Sequence, residues 1–174
     1  MNKLKVGIAG YGIVGKRRKD CIDRSEYAEV MAVCDQTFKS SGVTDNGLKF
    51  FKSYSELLQE ELDILLVCMP NHIASEVTIA GLKKGLHTFC EKPPGRTVAD
   101  IASVIKVEKE NPALKLMYGF NHRYHDSVQE ALKIIRSKEL GKIINMRGVY
   151  GKSQLITFEK DFPINEIVQC NKID

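Results

Sequence analysis

Apolar residues fall along this chain in short, nearly continuous runs separated by longer, polar-punctuated stretches. Leu4-Lys5-Val6-Gly7-Ile8-Ala9, Ala28-Glu29-Val30-Met31-Ala32-Val33-Cys34, Asp63-Ile64-Leu65-Leu66-Val67-Cys68 and Leu86 to Cys90 are the clearest of them. Runs of this length with little alternation are expected of strands covered on both faces of a parallel sheet. A weaker run near Lys49 to Lys52 and another from Leu114 to Phe120 bring the predicted strands to six.

Helix-like spacing fills the intervals. The pattern predicts helices over Val14 to Arg24, Tyr54 to Glu60, Ala74 to Lys84, and from Thr97 to about Glu110. A last one, apolar at Val128, Ala131, Leu132 and Ile135, ends before Gly141. Ser53 with Glu56, Thr97 with Asp100, and Ser127 with Glu130 stand at the spacing of N-terminal capping boxes. Gly85 and Pro112 stand where helices stop. In the first helix, Val14, Cys21 and Ile22 would pack on the sheet while Lys16, Lys19 and Asp23 face water; Arg18 falls near the apolar side without an evident reason. Regular strand–helix alternation predicts an α/β fold, a parallel sheet with right-handed crossovers and helices on both faces.

The turn after the first strand carries candidate chemistry. Gly10-Tyr11-Gly12-Ile13-Val14-Gly15 joins that strand to the first helix, and Asp35 closes the second strand 20 residues beyond Gly15. In such a turn the first glycine permits the tight bend, the second lets a pyrophosphate approach, and the third lets helix and strand pack closely. Ile13 and Val14 would offer backbone N–H groups at the positive helix end. Asp35 can accept hydrogen bonds from both hydroxyls of an adenosine ribose and would repel a 2′-phosphate, so NAD is expected over NADP.

Ligands of doubly wound sheets lie beyond the carboxyl ends of the strands. The predicted strands end there in Met69-Pro70-Asn71-His72, Glu91-Lys92-Pro93-Pro94 and Asn121-His122-Arg123-Tyr124. Pro70, Asn71, His72, Glu91, Lys92, Pro93 and Asn121 therefore join the expected cofactor-binding set, with Lys92 facing the nicotinamide end. His87, His122 and His125 are read as structural.

Composition narrows the alternatives. The 174 residues are 43% hydrophobic and 28% charged, ordinary values for a globular protein. A net charge of +4 is mild and scattered, so nucleic acid is not expected as a partner. The N-terminal apolar run is too short and too glycine-rich for a signal peptide or a membrane span, and a cytoplasmic protein is expected. Cys21, Cys34, Cys68, Cys90 and Cys170 show no paired spacing and read as reduced thiols, three of them at strand ends. No metal-ligand spacing is present, so no metal is expected.

Taken together, these residues resemble the Gfo/Idh/MocA family of oxidoreductases. The matching segments are Gly10 to Gly15, Asp35, Cys68-Met69-Pro70-Asn71-His72, Ala80 to Pro94, Tyr118 to Tyr124, and Gly141 to Gly148. The resemblance implies hydride transfer between a nicotinamide cofactor and a secondary alcohol of a sugar, polyol or nucleotide-sugar. It implies that Lys92 lies beside the reacting hydroxyl as the catalytic residue, that Glu91 is close to the nicotinamide ribose, and that the peptide bond before Pro93 is often cis. A hydroxyl losing hydride from its carbon must also lose its proton, and a lysine within hydrogen-bond reach can carry it.

The family continues beyond the strand matching Gly141 to Gly148 into an open antiparallel sheet that walls the substrate. Its glycine-rich segment leading to an Asp and a His has no counterpart here, and residues 154–174 match no family segment. The expected organisation is a Rossmann domain over 1–125, a linking helix and the first strand of a second α+β domain over 126–153, and an unassigned tail over 154–174. The chain is thus expected to be an oxidoreductase or, alternatively, a truncated NAD-binding module without turnover. Lys142 to Tyr150 is imperfectly alternating, and as an unpaired strand it would invite homo-oligomer formation.

Overall fold

The computed structural model describes residues 3–149. Seven strands appear among them: β1 (Leu4–Ala9), β2 (Ala28–Cys34), β3 (Gly42–Val43), β4 (Lys49–Phe51), β5 (Ile64–Val67), β6 (His87–Cys90) and β7 (Leu116–Tyr118). They form one sheet in the order β3-β4-β2-β1-β5-β6-β7. Every neighbouring pair is parallel except β3 with β4. Val6 lies opposite Val30 on one side and Ile64 on the other, and Ala9 opposite Cys34 and Val67. The chain winds outward from β1 through β2 and β4, then returns and winds the other way through β5, β6 and β7. That reversal at β1 leaves a crevice above the carboxyl ends of β1 and β5.

Both faces of the sheet are covered, which is why the strand sequences barely alternate. Ala9, Cys34, Leu65, Val67 and Cys90 pack in one apolar cluster, together with Leu57, Ala74 and Val77 from helices α2 (Tyr54–Leu57) and α3 (Asn71–Lys83). Their strand neighbours Ile8, Val33 and Leu66 point the opposite way, into a cluster reached by Ile22 of helix α1 (Ile13–Asp23). Leu82 of α3 meets Val104 and Val107 of α4 (Val98–Glu110) in a third cluster.

The expected capping box of α4 is complete. Thr97 Oγ1 accepts from the Asp100 N–H at 3.2 Å, and Asp100 Oδ2 accepts from the Thr97 N–H at 2.9 Å. Thr97→Ala should therefore lower unfolding stability by about 0.5–2 kcal/mol in urea titration. An unchanged midpoint would show that the cap contributes nothing.

Several elements differ from expectation, each for a physical reason. On α1 the buried side is set by Gly15, not by Val14 and Cys21, both of which are exposed. A Cβ on Gly15 would stand 2.0 Å from the Gly10 carbonyl oxygen, so the helix rests its glycine side against the chain and turns Arg18 and Ile22 inward. Helix α3 starts at Asn71, because the Pro70 carbonyl accepts from both the Ile73 and Ala74 N–H groups at 3.1 Å. Asn71 and His72 thus form a first helical turn rather than a strand-end loop. β3, a seventh strand, is two residues long and pairs Gly42 with Phe50, too short to leave a period in the sequence.

A compact unit ends at Tyr124, and a second begins at His125. Helix α5 (Asp126–Ser137) opens the second with His125, not Ser127, at its N-cap. It closes on Lys138, in the left-handed region at φ 62°. Lys142 to Val149, expected as the first strand of a second domain, hold no strand, and Ile144, Met146 and Val149 are exposed. A strand needs a hydrogen-bonding neighbour, and among the described residues this segment has none. Tyr150, Cys170 and the whole 154–174 tail lie outside the described residues. Among the described residues no helix is long and apolar enough to cross a membrane.

Candidate functional site

Hydrogen bonding along the carboxyl edge of the sheet continues one residue past β1, β2, β5, β6 and β7. The Gly10 N–H donates to Cys34 O at 2.9 Å, Asp35 to Phe51 O at 3.1 Å, Cys68 to Ala9 O at 2.7 Å, Glu91 to Val67 O at 2.8 Å, and Gly119 to Cys90 O at 2.9 Å. The first residue of each loop is therefore fixed to the adjacent strand.

Gly10 and Gly15 shape the first of these loops. Gly10 has φ +93°, and a Cβ there would lie 2.5 Å from Cys68 O. With Gly15 pressed on the Gly10 carbonyl, the turn between β1 and α1 closes tightly. Gly12 differs: a Cβ would meet nothing within 4 Å. The protein itself does not require glycine at this position, but a group approaching the backbone from outside would. Gly12 is also the N-cap of α1, and no side chain caps that helix end. The first-turn N–H groups have no intrahelical acceptor and point where an anion is favoured. Ile13 and Val14 flank them, 73% and 42% exposed.

Asp35 closes the other side of this turn. Its Oδ2 accepts from the Tyr11 N–H at 2.8 Å, while Oδ1 accepts from the Thr37 N–H at 3.0 Å and the Thr37 hydroxyl at 2.7 Å. Burial works to raise the Asp35 carboxyl, but the hydrogen bonds from Thr37 and Tyr11, with Lys16 nearby, outweigh it and hold the group below its usual range. The result is an ionised carboxylate in one orientation beside the glycine turn. Tyr11 and Thr37 were not among the expected site residues. The Asp-x-Thr spacing of an Asx-type turn was the available signal for Thr37; a backbone donor such as Tyr11 leaves none.

Beyond β5 and β6 lie the remaining expected residues. Pro70 is exposed, Asn71 half-buried and His72 exposed at the start of α3. The Lys92–Pro93 peptide bond is cis, and Lys92 and Pro93 are exposed. Glu91 is engaged by Arg18 across 73 residues of sequence. Arg18 Nε donates to Glu91 Oε1 at 2.6 Å, and Nη2 donates to the same oxygen. The guanidinium also lies over the Phe89 ring, 5.2 Å from its centroid. Asn121 opens a short 3₁₀ turn, Asn121–Tyr124, after β7 and is exposed. One sheet edge thus carries the glycine turn, Asp35, Pro70, Glu91 and Lys92; Asn121 follows at the far end of that edge. His87, expected as structural, accepts at Nδ1 from the Lys115 N–H at 3.0 Å.

The strand-end thiols contribute no nucleophile. Burial pushes Cys34 and Cys68 up to about 12, and Cys90 upward as well. Thiols so placed stay protonated and pack as small apolar groups.

An adenine dinucleotide fits this arrangement. Gly12 leaves open space, the uncapped helix end offers N–H donors, and Asp35 presents an acceptor at the end of the neighbouring strand. Comparison with known proteins points the same way. A family model described as an oxidoreductase family with an NAD-binding Rossmann fold matches residues 4–120. Inositol 2-dehydrogenase of Salmonella typhimurium (strain LT2) is 28% identical over 151 residues, covering 83% of this chain and 45% of that protein. Glucose-6-phosphate 3-dehydrogenase of Bacillus subtilis (strain 168) is 29% identical over 158 residues, covering 90% and 45%. The crystal structure of myo-inositol 2-dehydrogenase from Lactobacillus plantarum superimposes with a TM-score of 0.70 at 26% identity, covering 82% of this chain and 44% of that one. The chain thus spans under half the length of each of these proteins.

Proposed function

The chain belongs to the Gfo/Idh/MocA family of NAD-binding Rossmann-fold oxidoreductases, and from that membership we propose that it is the dinucleotide-binding part of an NAD-dependent dehydrogenase. The substrate class is a secondary alcohol of a sugar, polyol or nucleotide-sugar, which the polyol and sugar-phosphate dehydrogenases among its relatives support. When bound, the nicotinamide supplies the hydride acceptor. Gly10, Gly12, Ile13, Val14 and Gly15 hold the pyrophosphate, and Asp35 takes the adenosine ribose. Pro70, Asn71, His72, Glu91, Pro93 and Asn121 line the path towards the nicotinamide, and Lys92 carries the hydroxyl proton. A reducing, cytoplasmic setting belongs to the same proposal, supported by the unpaired thiols of Cys21, Cys34, Cys68 and Cys90.

The observation that carries the reading is the fixed Asp35 carboxylate beside the glycine turn, 2.8 Å from the Tyr11 nitrogen. A 2′-phosphate at that position would face an ionised group. Calorimetric titration should give tighter binding of NADH than of NADPH, and the reverse order would overturn the assignment. Asp35→Ala should narrow the gap by about 1–3 kcal/mol, the usual worth of hydrogen bonds to a charged group. NADH formation from a panel of polyols and sugars separates catalysis from cofactor binding alone.

A further inference from the structure

We infer that Arg18, through Glu91, sets how the site discriminates between oxidised and reduced nicotinamide. The inference rests on the NAD-binding reading above and extends it to a residue that reading leaves unused. With the ribose acceptor Asp35 at the end of β2 and the phosphates at the β1–α1 turn, a dinucleotide has one direction left in which to extend. The sheet order reverses at β1, so its second half runs over the ends of β5 and β6. Glu91 is the first residue past β6 there.

The Glu91 carboxylate is held from two sides. Arg18 binds Oε1 through Nε at 2.6 Å and through Nη2. On the other side, Oε2 lies so close to Gly119 that a Cβ on that residue would stand 2.7 Å away. The Glu91 side chain is 13% exposed and that of Arg18 32%, so water screens the pair only in part. The Arg18 guanidinium is supported in turn by the Phe89 ring. Arg18 stands on the helix whose N-terminus borders the glycine turn, and it reaches the loop that carries Lys92. One side chain thereby joins the two halves of the site.

The consequence is electrostatic. Oxidised nicotinamide carries a positive ring and reduced nicotinamide does not. A bare carboxylate close to the nicotinamide ribose, and so within electrostatic reach of the ring, favours the oxidised form, whereas a carboxylate paired with a guanidinium has little net charge to offer. Arg18 therefore restrains a preference that Glu91 alone would impose.

Calorimetric Kd values for NAD+ and NADH, measured on the full chain and its variants, test this. Arg18→Gln should lower the ratio Kd(NAD+)/Kd(NADH) on the order of tenfold, the scale of one uncompensated, partly screened charge. Glu91→Gln, which leaves the guanidinium uncompensated, should raise the ratio. The Arg18→Gln/Glu91→Gln double variant should return it close to the parent's, and Arg18→Lys, which keeps the charge, should leave it there. Arg18 would be only a brace if every variant weakened both forms by the same factor, and that result overturns the inference. Should Arg18→Gln melt too low to titrate, Glu91→Gln and the double variant read the same sign from the other partner. A parent chain that binds neither nucleotide overturns the NAD-binding reading itself, which is a different result from an unchanged ratio.

Discussion

Lys92→Met is expected to lower turnover of a sugar or polyol by about 10²- to 10⁴-fold, the usual contribution of a general acid–base group, while NADH affinity changes little. Lys92 follows Glu91 at the carboxyl end of β6, beyond the loop residue tied to Val67 O. It is exposed, so its side chain is not committed to the core. Methionine keeps an unbranched apolar stem close to that of lysine and removes the proton-carrying amine. Steady-state rates and an NADH titration on one preparation decide the matter. Unchanged turnover excludes the relay; lost NADH binding would instead make Lys92 part of the cofactor grip.

Gly15→Ala is expected to damage both stability and nucleotide binding. The added methyl would stand 2.0 Å from the Gly10 carbonyl oxygen and 3.4 Å from Ile8 Cγ2. The first is a backbone atom that cannot swing aside, so α1 must move off β1. Overpacking of this kind costs about 1–3 kcal/mol, and here it also opens the glycine turn between β1 and α1. Chemical denaturation should report the stability loss, with NADH affinity falling in parallel. Gly12→Ala is the control, since its methyl meets no protein atom within 4 Å. That variant should fold normally and lose affinity only if a ligand occupies the space. A Gly15→Ala chain with parental stability would mean the turn is looser than its geometry implies.

Sequence alone conveyed the sheet and most of the site edge, because these features are written in local patterns. Buried parallel strands require unbroken apolar runs, so β1, β2, β5 and β6 announced themselves at Leu4, Ala28, Ile64 and His87 to within a residue or two. Thr97 and Asp100 marked a helix start for the same reason: both partners of the cap lie within four residues. What failed to show was non-local. Arg18 looked misplaced on α1 because its reason, Glu91, lies 73 residues away. Hydrophobicity gives the wrong phase for α1, since backbone contact at Gly15 decides it rather than the apolar side chains of Val14 and Cys21. At Lys142 to Val149 the apolar content suggested a strand, but strand formation depends on a neighbour that a single segment cannot declare.

The bonds that run on past the strand ends have an entropic consequence. Gly10, Asp35, Cys68, Glu91 and Gly119 each donate a backbone hydrogen bond to an adjacent strand or strand end, so the roots of the site loops lose their conformational freedom when the chain folds. Fixing a residue's backbone costs about 1–2 kcal/mol. A ligand arriving at this edge finds that ordering already complete at five positions, and more of its contact energy appears as affinity.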